Sequence, residues 1–283
     1  MPVKTRFVDP SDQEDFLVDE LSLTGGSDRY RRDISRYWAF GDDRVFGGYT
    51  AALALAAAAE AVKLPVLLSC QLQFLGATRV GEASIEVETL VRGRSAASVR
   101  VVLYQNAAPT VTLQCWLGES LPTPGNDLSE HSTPVPLACP QIRFRSELIP
   151  FMGVLDERAI DYPADDSGFQ SGPPFVELWV RPRQVATKPS ALLSQLFDVI
   201  AFDAHMLDST RRARASTRIV TASLDLSVIW YSALPLAAWR RVRVESGPSH
   251  HGFAATSAVI CDESGAKSAS AFQQGRARAM SSR

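Results

Sequence analysis

The feature that most constrains the fold is a repeated order of elements, a long helix followed by antiparallel strands, on each side of a proline-rich stretch. Nine of the 17 prolines fall between Glu119 and Phe175. Acidic and small residues crowd the same stretch, as in Asp161–Gly172. It reads as a long irregular connection. The implied organisation is a first unit over 1–118, a proline-rich linker over 119–175 and a second unit over 176–283.

In the first unit Gly48–Lys63 is a helix candidate built on alanine and leucine. Ala83–Arg92 alternates apolar and polar residues at strand period. Ser98–Gln105 and Thr110–Leu117 flank a turn at Asn106–Pro109. In the second unit Pro189 precedes a helix over Ser190–Asp208. Strands follow at Val220–Tyr231, Ala238–Glu245, Gly252–Cys261 and Lys267–Gly275, the last two joined by the turn Asp262–Gly265. The pattern recurs with an offset near 157, the distance from Tyr104 to Cys261. A long helix ahead of antiparallel strands, twice, predicts an α+β fold. Alanine on every face of the first helix predicts its burial, because small side chains let a sheet close tightly around it.

Composition narrows the class. The 283 residues carry 29 basic and 31 acidic side chains, a net charge of −2 with no electrostatic reason to expect nucleic acid. Only Lys4, Lys63, Lys188 and Lys267 are lysine, so 25 of the 29 basic residues are arginine. Cys70, Cys115 and Cys261 lie in apolar strand-like runs and read as core residues, and no cysteine has metal-ligand spacing. The polar N-terminus has no apolar signal core, and the longest apolar run, Ala51–Ala59, is too short to span a bilayer. A cytoplasmic protein without a membrane span or metal is the expectation.

No P-loop, dinucleotide fingerprint, zinc-protease motif or nucleophile elbow is present. His131 falls in the linker, His250-His251 in a loop, and His205 opposite the apolar stripe of its helix, which predicts exposure. The strongest candidate is a carboxylate. At about 100° per residue, Leu192, Leu196, Val199, Ile200, Met206 and Leu207 lie within about 60° of Asp203. Asp198 and Asp208 fall more than about 120° away and are expected to point outward. Asp203 therefore sits on the apolar face. A buried carboxylate needs donors or a role, and burial strengthens it as a base. Structural and functional readings of Asp203 both stand at this level.

Val45-Phe46-Gly47-Gly48 with the alanine helix resembles acyl-CoA thioesterases of the type II, double-hotdog family. So do Val87–Ser95, Gln105-Asn106, Ser223–Ser227 and Phe272-Gln273-Gln274-Gly275. The resemblance implies two fused hotdog units, each an antiparallel sheet wrapped around a long helix. It implies hydrolysis of acyl-CoA or acyl-carrier-protein thioesters, with Asp203, Ser223 and Gln273 holding the attacking water. Coenzyme A enters only as part of the substrate, no other cofactor is implied, and a homo-oligomer is expected. Serine stands at 223 where threonine is common, and Tyr49 where glutamine is frequent. The start of the first helix, Gly47-Gly48, is a natural source of backbone donors for an oxyanion. Arg211, Arg212, Arg214 and Arg218 are candidates for the phosphates of coenzyme A. Two other activities fit a hotdog fold: a hydratase or dehydratase, which needs an aspartate–histidine pair, and non-catalytic acyl binding.

Overall fold

The computed structural model describes residues 13–121, 134–143, 149–164, 168–184, 186–215, 219–247 and 251–279. His131, Arg218 and His250 lie outside them. The first half runs α1 (Phe16–Glu20), β1 (Thr24–Gly26), β2 (Arg29–Ile34), β3 (Ala39–Phe40), β4 (Arg44–Val45) and α2 (Gly47–Val62). Then come β5 (Val66–Phe74), β6 (Gly81–Arg92), β7 (Ala96–Gln105) and β8 (Ala108–Gly118). The second half runs β9 (Gln141–Ile142), β10 (Leu155–Asp161), β11 (Phe175–Pro182), α3 (Ala191–His205) and α4 (Asp208–Ala213). It closes with β12 (Ile219–Ser223), β13 (Asp225–Trp230), β14 (Arg240–Ser246), β15 (Phe253–Cys261) and β16 (Lys267–Ala279).

One sheet carries both halves, in the order β1-β2-β6-β7-β8-β5-β13-β16-β15-β14-β11-β10-β9, with β12 also paired to β16. Strands β2, β6, β7, β8 and β5 take the same places on one side of the centre as β11, β14, β15, β16 and β13 on the other. This is the expected duplication. The halves meet at the antiparallel pair β5–β13, with Asp225 opposite Gln73 and Ile229 opposite Ser69. The long helices α2 and α3 pack on each other and on the sheet, which gives the double hotdog.

Local chemistry explains the elements. Ser190 caps α3, its Oγ accepting from the Leu193 N–H at 3.1 Å. Ala51, Ala52, Ala54, Ala57 and Ala58 of α2 are fully buried, as the alanine pattern predicted. Asn106 and Ala107 both have positive φ, the two-residue hairpin turn that matches strand twist. Cys70, Cys115 and Cys261 are free and buried.

Two expectations need correction. The connection is not irregular throughout. Strands β9 and β10 lie inside it, and β10 pairs with β11 from Leu155↔Pro182 to Asp161↔Glu177. The expected strand Val220–Tyr231 is two, broken at Leu224, whose N–H bonds Gln274 O while its carbonyl accepts from Phe74 N–H. Both pieces pair with β16, the register shifting by one residue between Ser223↔Gly275 and Ser227↔Phe272, and Ser223 turns inward to Asp203.

Candidate active site

The site lies where the C-terminal turn of α3 meets the start of α2. Asp203 Oδ1 accepts two hydrogen bonds at 2.7 Å each, from Ser223 Oγ and from Gln273 Nε2. The backbone N–H of Gly48 also favours the ionised carboxylate. Burial pushes the carboxyl above its ordinary range, and these donors pull it part of the way back. The three sequence candidates Asp203, Ser223 and Gln273 thus form one cluster.

Each side chain has a positional cause. Asp203 sits on the face of α3 turned toward the first helix. Gln273 faces inward from β16 and is 2% exposed, while Phe272 and Gln274 alternate outward. Gln273 Oε1 has no hydrogen-bond partner among the described residues, so a buried acceptor remains beside Asp203. Gly47 and Gly48 permit the close approach of the helices. A Cβ on Gly47 would lie 2.9 Å from Asp203 Oδ2, and one on Gly48 would lie 2.7 Å from the Phe46 ring and 3.1 Å from Asp203 Cβ. These glycines are needed for proximity, with no left-handed backbone involved.

A cavity of about 410 Å³ opens from Asp203 and Ser223. Gly47, Phe74, Phe151, Met152 and Leu207 are among its walls. Phe151 and Met152 belong to a 3-10 turn over Pro150–Val154, within the proline-rich connection. They were not singled out in the sequence, although Phe151–Val154 is an apolar run there. Tyr49, at the position of departure, is not among the cavity's lining residues. Its ring stacks on Trp38 at 4.3 Å and its hydroxyl donates to Glu20 O at 2.9 Å.

The arginines separate. Arg211 lines the cavity and donates to Asp208 Oδ1 and Thr221 Oγ1. Arg212 donates to Asp161 Oδ1 at 2.7 Å and to Phe175 O at 3.0 Å. Arg214 donates to Ala277 O at 3.2 Å. Neither of these two lines the cavity.

The expected exposure of three side chains is wrong. Asp198, Asp208 and His205 are all buried, at 0%, 1% and 0% exposure. The periodicity argument assumes one solvated face, but α3 is buried on nearly every face against α2 and the sheet, and the helix expected through Asp208 ends at His205, so that Asp208 starts α4. Asp198 Oδ1 accepts from Arg240 Nε at 2.6 Å and its Oδ2 from Trp230 Nε1 at 3.2 Å. His205 stands 3.1 Å from Glu157 and 3.4 Å from Asp208, and Tyr162 OH donates to Asp208 at 2.6 Å. Arg240, Trp230 and Glu157 come from β14, β13 and β10, and Tyr162 from the residue after β10, all far away in sequence. Gln195 was also missed. Its amide donates to Leu67 O at 2.7 Å and accepts from Leu67 N–H at 2.8 Å, filling an irregularity in β5.

Fold and site together define a double-hotdog protein with a carboxylate at the junction of its two helices. The profile of the acyl-CoA thioesterase N-terminal domain matches residues 34–118, and that of the C-terminal domain matches residues 129–277. The chain belongs to the acyl-CoA thioesterase family and is a thioester hydrolase. Among solved structures it is similar to a tesB protein of Mycobacterium avium subsp. paratuberculosis, at 18% identity and TM-score 0.79, covering 94% of this chain and 100% of that one. It is also similar to the acyl-CoA thioesterase II TesB2 of Mycobacterium marinum, at 20% identity and TM-score 0.76, covering 94% and 99%. A hot dog fold protein of Alicyclobacillus acidocaldarius aligns at 16% identity and TM-score 0.77, covering 93% and 98%. No curated protein sequence matches the chain significantly. Among the described residues no helix is long and apolar enough to cross a membrane, and no cluster of metal-ligating side chains occurs.

Proposed function

We propose that the chain hydrolyses acyl-CoA or acyl-carrier-protein thioesters with Asp203 as general base. The observation that carries this reading is the convergence of Ser223 Oγ and Gln273 Nε2 on one oxygen of a desolvated aspartate at a cavity wall. Both donors hold Oδ1, which leaves Oδ2 to take a proton from water. Gln273 Oε1 is an acceptor that orients the same water. Burial makes the carboxylate a stronger base than one in solution, and the donors favour its ionised form.

The water oxygen attacks the thioester carbonyl as its proton passes to Asp203. The tetrahedral oxyanion forms beside the positive end of α2 at Gly47-Gly48. The carbon–sulfur bond then breaks, and the proton on Asp203 leaves with the thiol. The products are a carboxylic acid and a free thiol, and no cofactor enters the balance. Arg211 at the cavity wall is a contact for the carrier's phosphates, whereas Arg212 and Arg214 act through the internal bonds described above. His205, directed toward Glu157 and Asp208, gives no support to a hydratase pair.

Two further readings accompany this one. Four buried thiols with no disulfide suit a reducing, cytoplasmic setting. Trp116, Ile229 and Phe272 leave apolar surface on the outer sheet face that a second copy in a homo-oligomer would cover. The deciding measurement follows free thiol during incubation with acyl-CoAs of graded chain length and with acyl-carrier protein. Release from at least one class is expected, and release from none overturns the reading.

A further inference from the structure

Arg44 and Arg79 face each other across an isolated antiparallel bridge. Val45 N–H donates to Thr78 O at 2.9 Å and Val80 N–H to Asp43 O at 3.2 Å, one bond on each side of the pair. That pattern makes Arg44 and Arg79 a non-hydrogen-bonded pair, the arrangement that brings opposite side chains closest. Two like charges in this position repel each other. Both side chains are exposed, and neither is ion-paired with a carboxylate among the described residues. The nearby acidic side chain of Asp43 is held by Arg36 at 2.6 Å, and Arg79 donates only to the backbone carbonyl of Asp42, at 2.7 Å.

The pair is also built to stay in place. A non-hydrogen-bonded residue turns its N–H and C=O away from its partner, and at Arg79 one side chain takes both. Gln105 Oε1 accepts from Arg79 N–H at 2.8 Å, and Gln105 Nε2 donates to Arg79 O at 2.9 Å. Gln105 is therefore a positioning residue for a cationic pair that has no internal counter-ion. Arg44 lines the cavity that holds Asp203, three residues ahead of Gly47 and the positive end of α2.

We propose that Arg44 and Arg79 bind the phosphates of a coenzyme A thioester while its acyl end reaches Asp203; this rests on the hydrolase reading above. A guanidinium pair offers forked donors of the geometry a phosphate accepts. A bound phosphate also removes the repulsion between the two cations.

The test compares acyl-CoA with the same acyl group on N-acetylcysteamine, which carries no phosphate. In the double variant Arg44→Gln, Arg79→Gln the ratio of kcat/KM for acyl-CoA to that for the phosphate-free thioester should fall about tenfold through KM, the loss of charge-assisted contacts. Gln105→Ala should give a smaller fall in the same ratio. An unchanged ratio overturns the proposal. Calorimetric titration with free coenzyme A, with and without its 3′-phosphate, needs no turnover. Weaker binding by the double variant supports the pair even if no thioester is cleaved, and equal binding by wild type and variant overturns it. Loss of all turnover with binding intact would instead sink the hydrolase reading.

Discussion

The two central helices occupy equivalent places in the duplicated fold and differ in almost every respect. Helix α2 holds eight alanines in 16 residues, and Glu60 is its one ionisable carboxylate. Glu60 is exposed and ion-paired with Lys63. Helix α3 buries Ser194, Gln195, Asp198 and His205 and turns Asp203 toward the cavity of about 410 Å³. At one end of the helix pair the start of α2 meets Asp203. At the other end the start of α3 meets Ala56, Ala59 and Glu60 around a second cavity of about 640 Å³. The comparison teaches that a smooth helix and a polar helix are complementary parts. The first supplies close approach and a positive end, and the second supplies the buried polar groups, Asp203 among them.

The largest expected effect tests the polar helix. Asp203→Asn should lower kcat by about 10²–10⁴, the range for a lost general base. Wild-type rate should rise with pH along a limb centred above the ordinary aspartate value of 3.8. The sign follows from burial: the folded protein holds the Asp203 proton more tightly than the unfolded chain does. Asp203 therefore reduces stability at neutral pH, and this cost is relieved as pH falls through the raised value toward 3.8. A variant with full activity would remove Asp203 from the mechanism.

Next in size is Arg240→Met, which leaves Asp198 buried without its cation. Denaturant unfolding should show a loss of about 3–5 kcal/mol. A loss below about 1 kcal/mol would mean that water reaches Asp198. Ala58→Leu tests the smooth helix. Overpacking against a fully buried position should cost about 1–3 kcal/mol, read from the same unfolding curves. A neutral result would show room that the alanine packing denies. The smallest effect is expected for Tyr49→Phe, about 1 kcal/mol for the hydroxyl bond to Glu20 O, with activity retained. A strong loss of activity there would return Tyr49 to the pocket.

Local pattern explains what could be read from the chain. The alanines of α2, the alternation in β6 and the turn at Asn106 each report a neighbourhood a few residues wide. Those signals placed the elements and the repeat. Asp203 was legible because its apolar neighbours share its helix. Ser223 and Gln273 were legible through family resemblance, since either could have been a solvated strand residue. Asp198 and His205 are buried for a reason that no spacing within α3 announces: their partners Arg240, Trp230 and Glu157 arrive from other strands. Asp208 follows a break after His205 that the apolar period does not show, so its face cannot be counted from Asp203. Strand β10 was hidden because prolines surround it, although its ladder with β11 is ordinary. The Arg44–Arg79 pair is likewise a fact of register, visible only once two short segments lie side by side.

The seam between β5 and β13 has a consequence for how such a chain can change. When two identical subunits meet across an axis, every substitution appears twice. An aspartate placed near the end of one central helix would then be repeated at the far end of the helix pair, and every alanine or glycine of its partner helix would be repeated with it. Here the axis passes through a single polypeptide, so each position mutates alone. That freedom lets alanine accumulate on one helix while charge accumulates on the other. It also sets the stoichiometry of the proposed base at one per chain, so a tight-binding mimic of the tetrahedral intermediate should saturate at one equivalent.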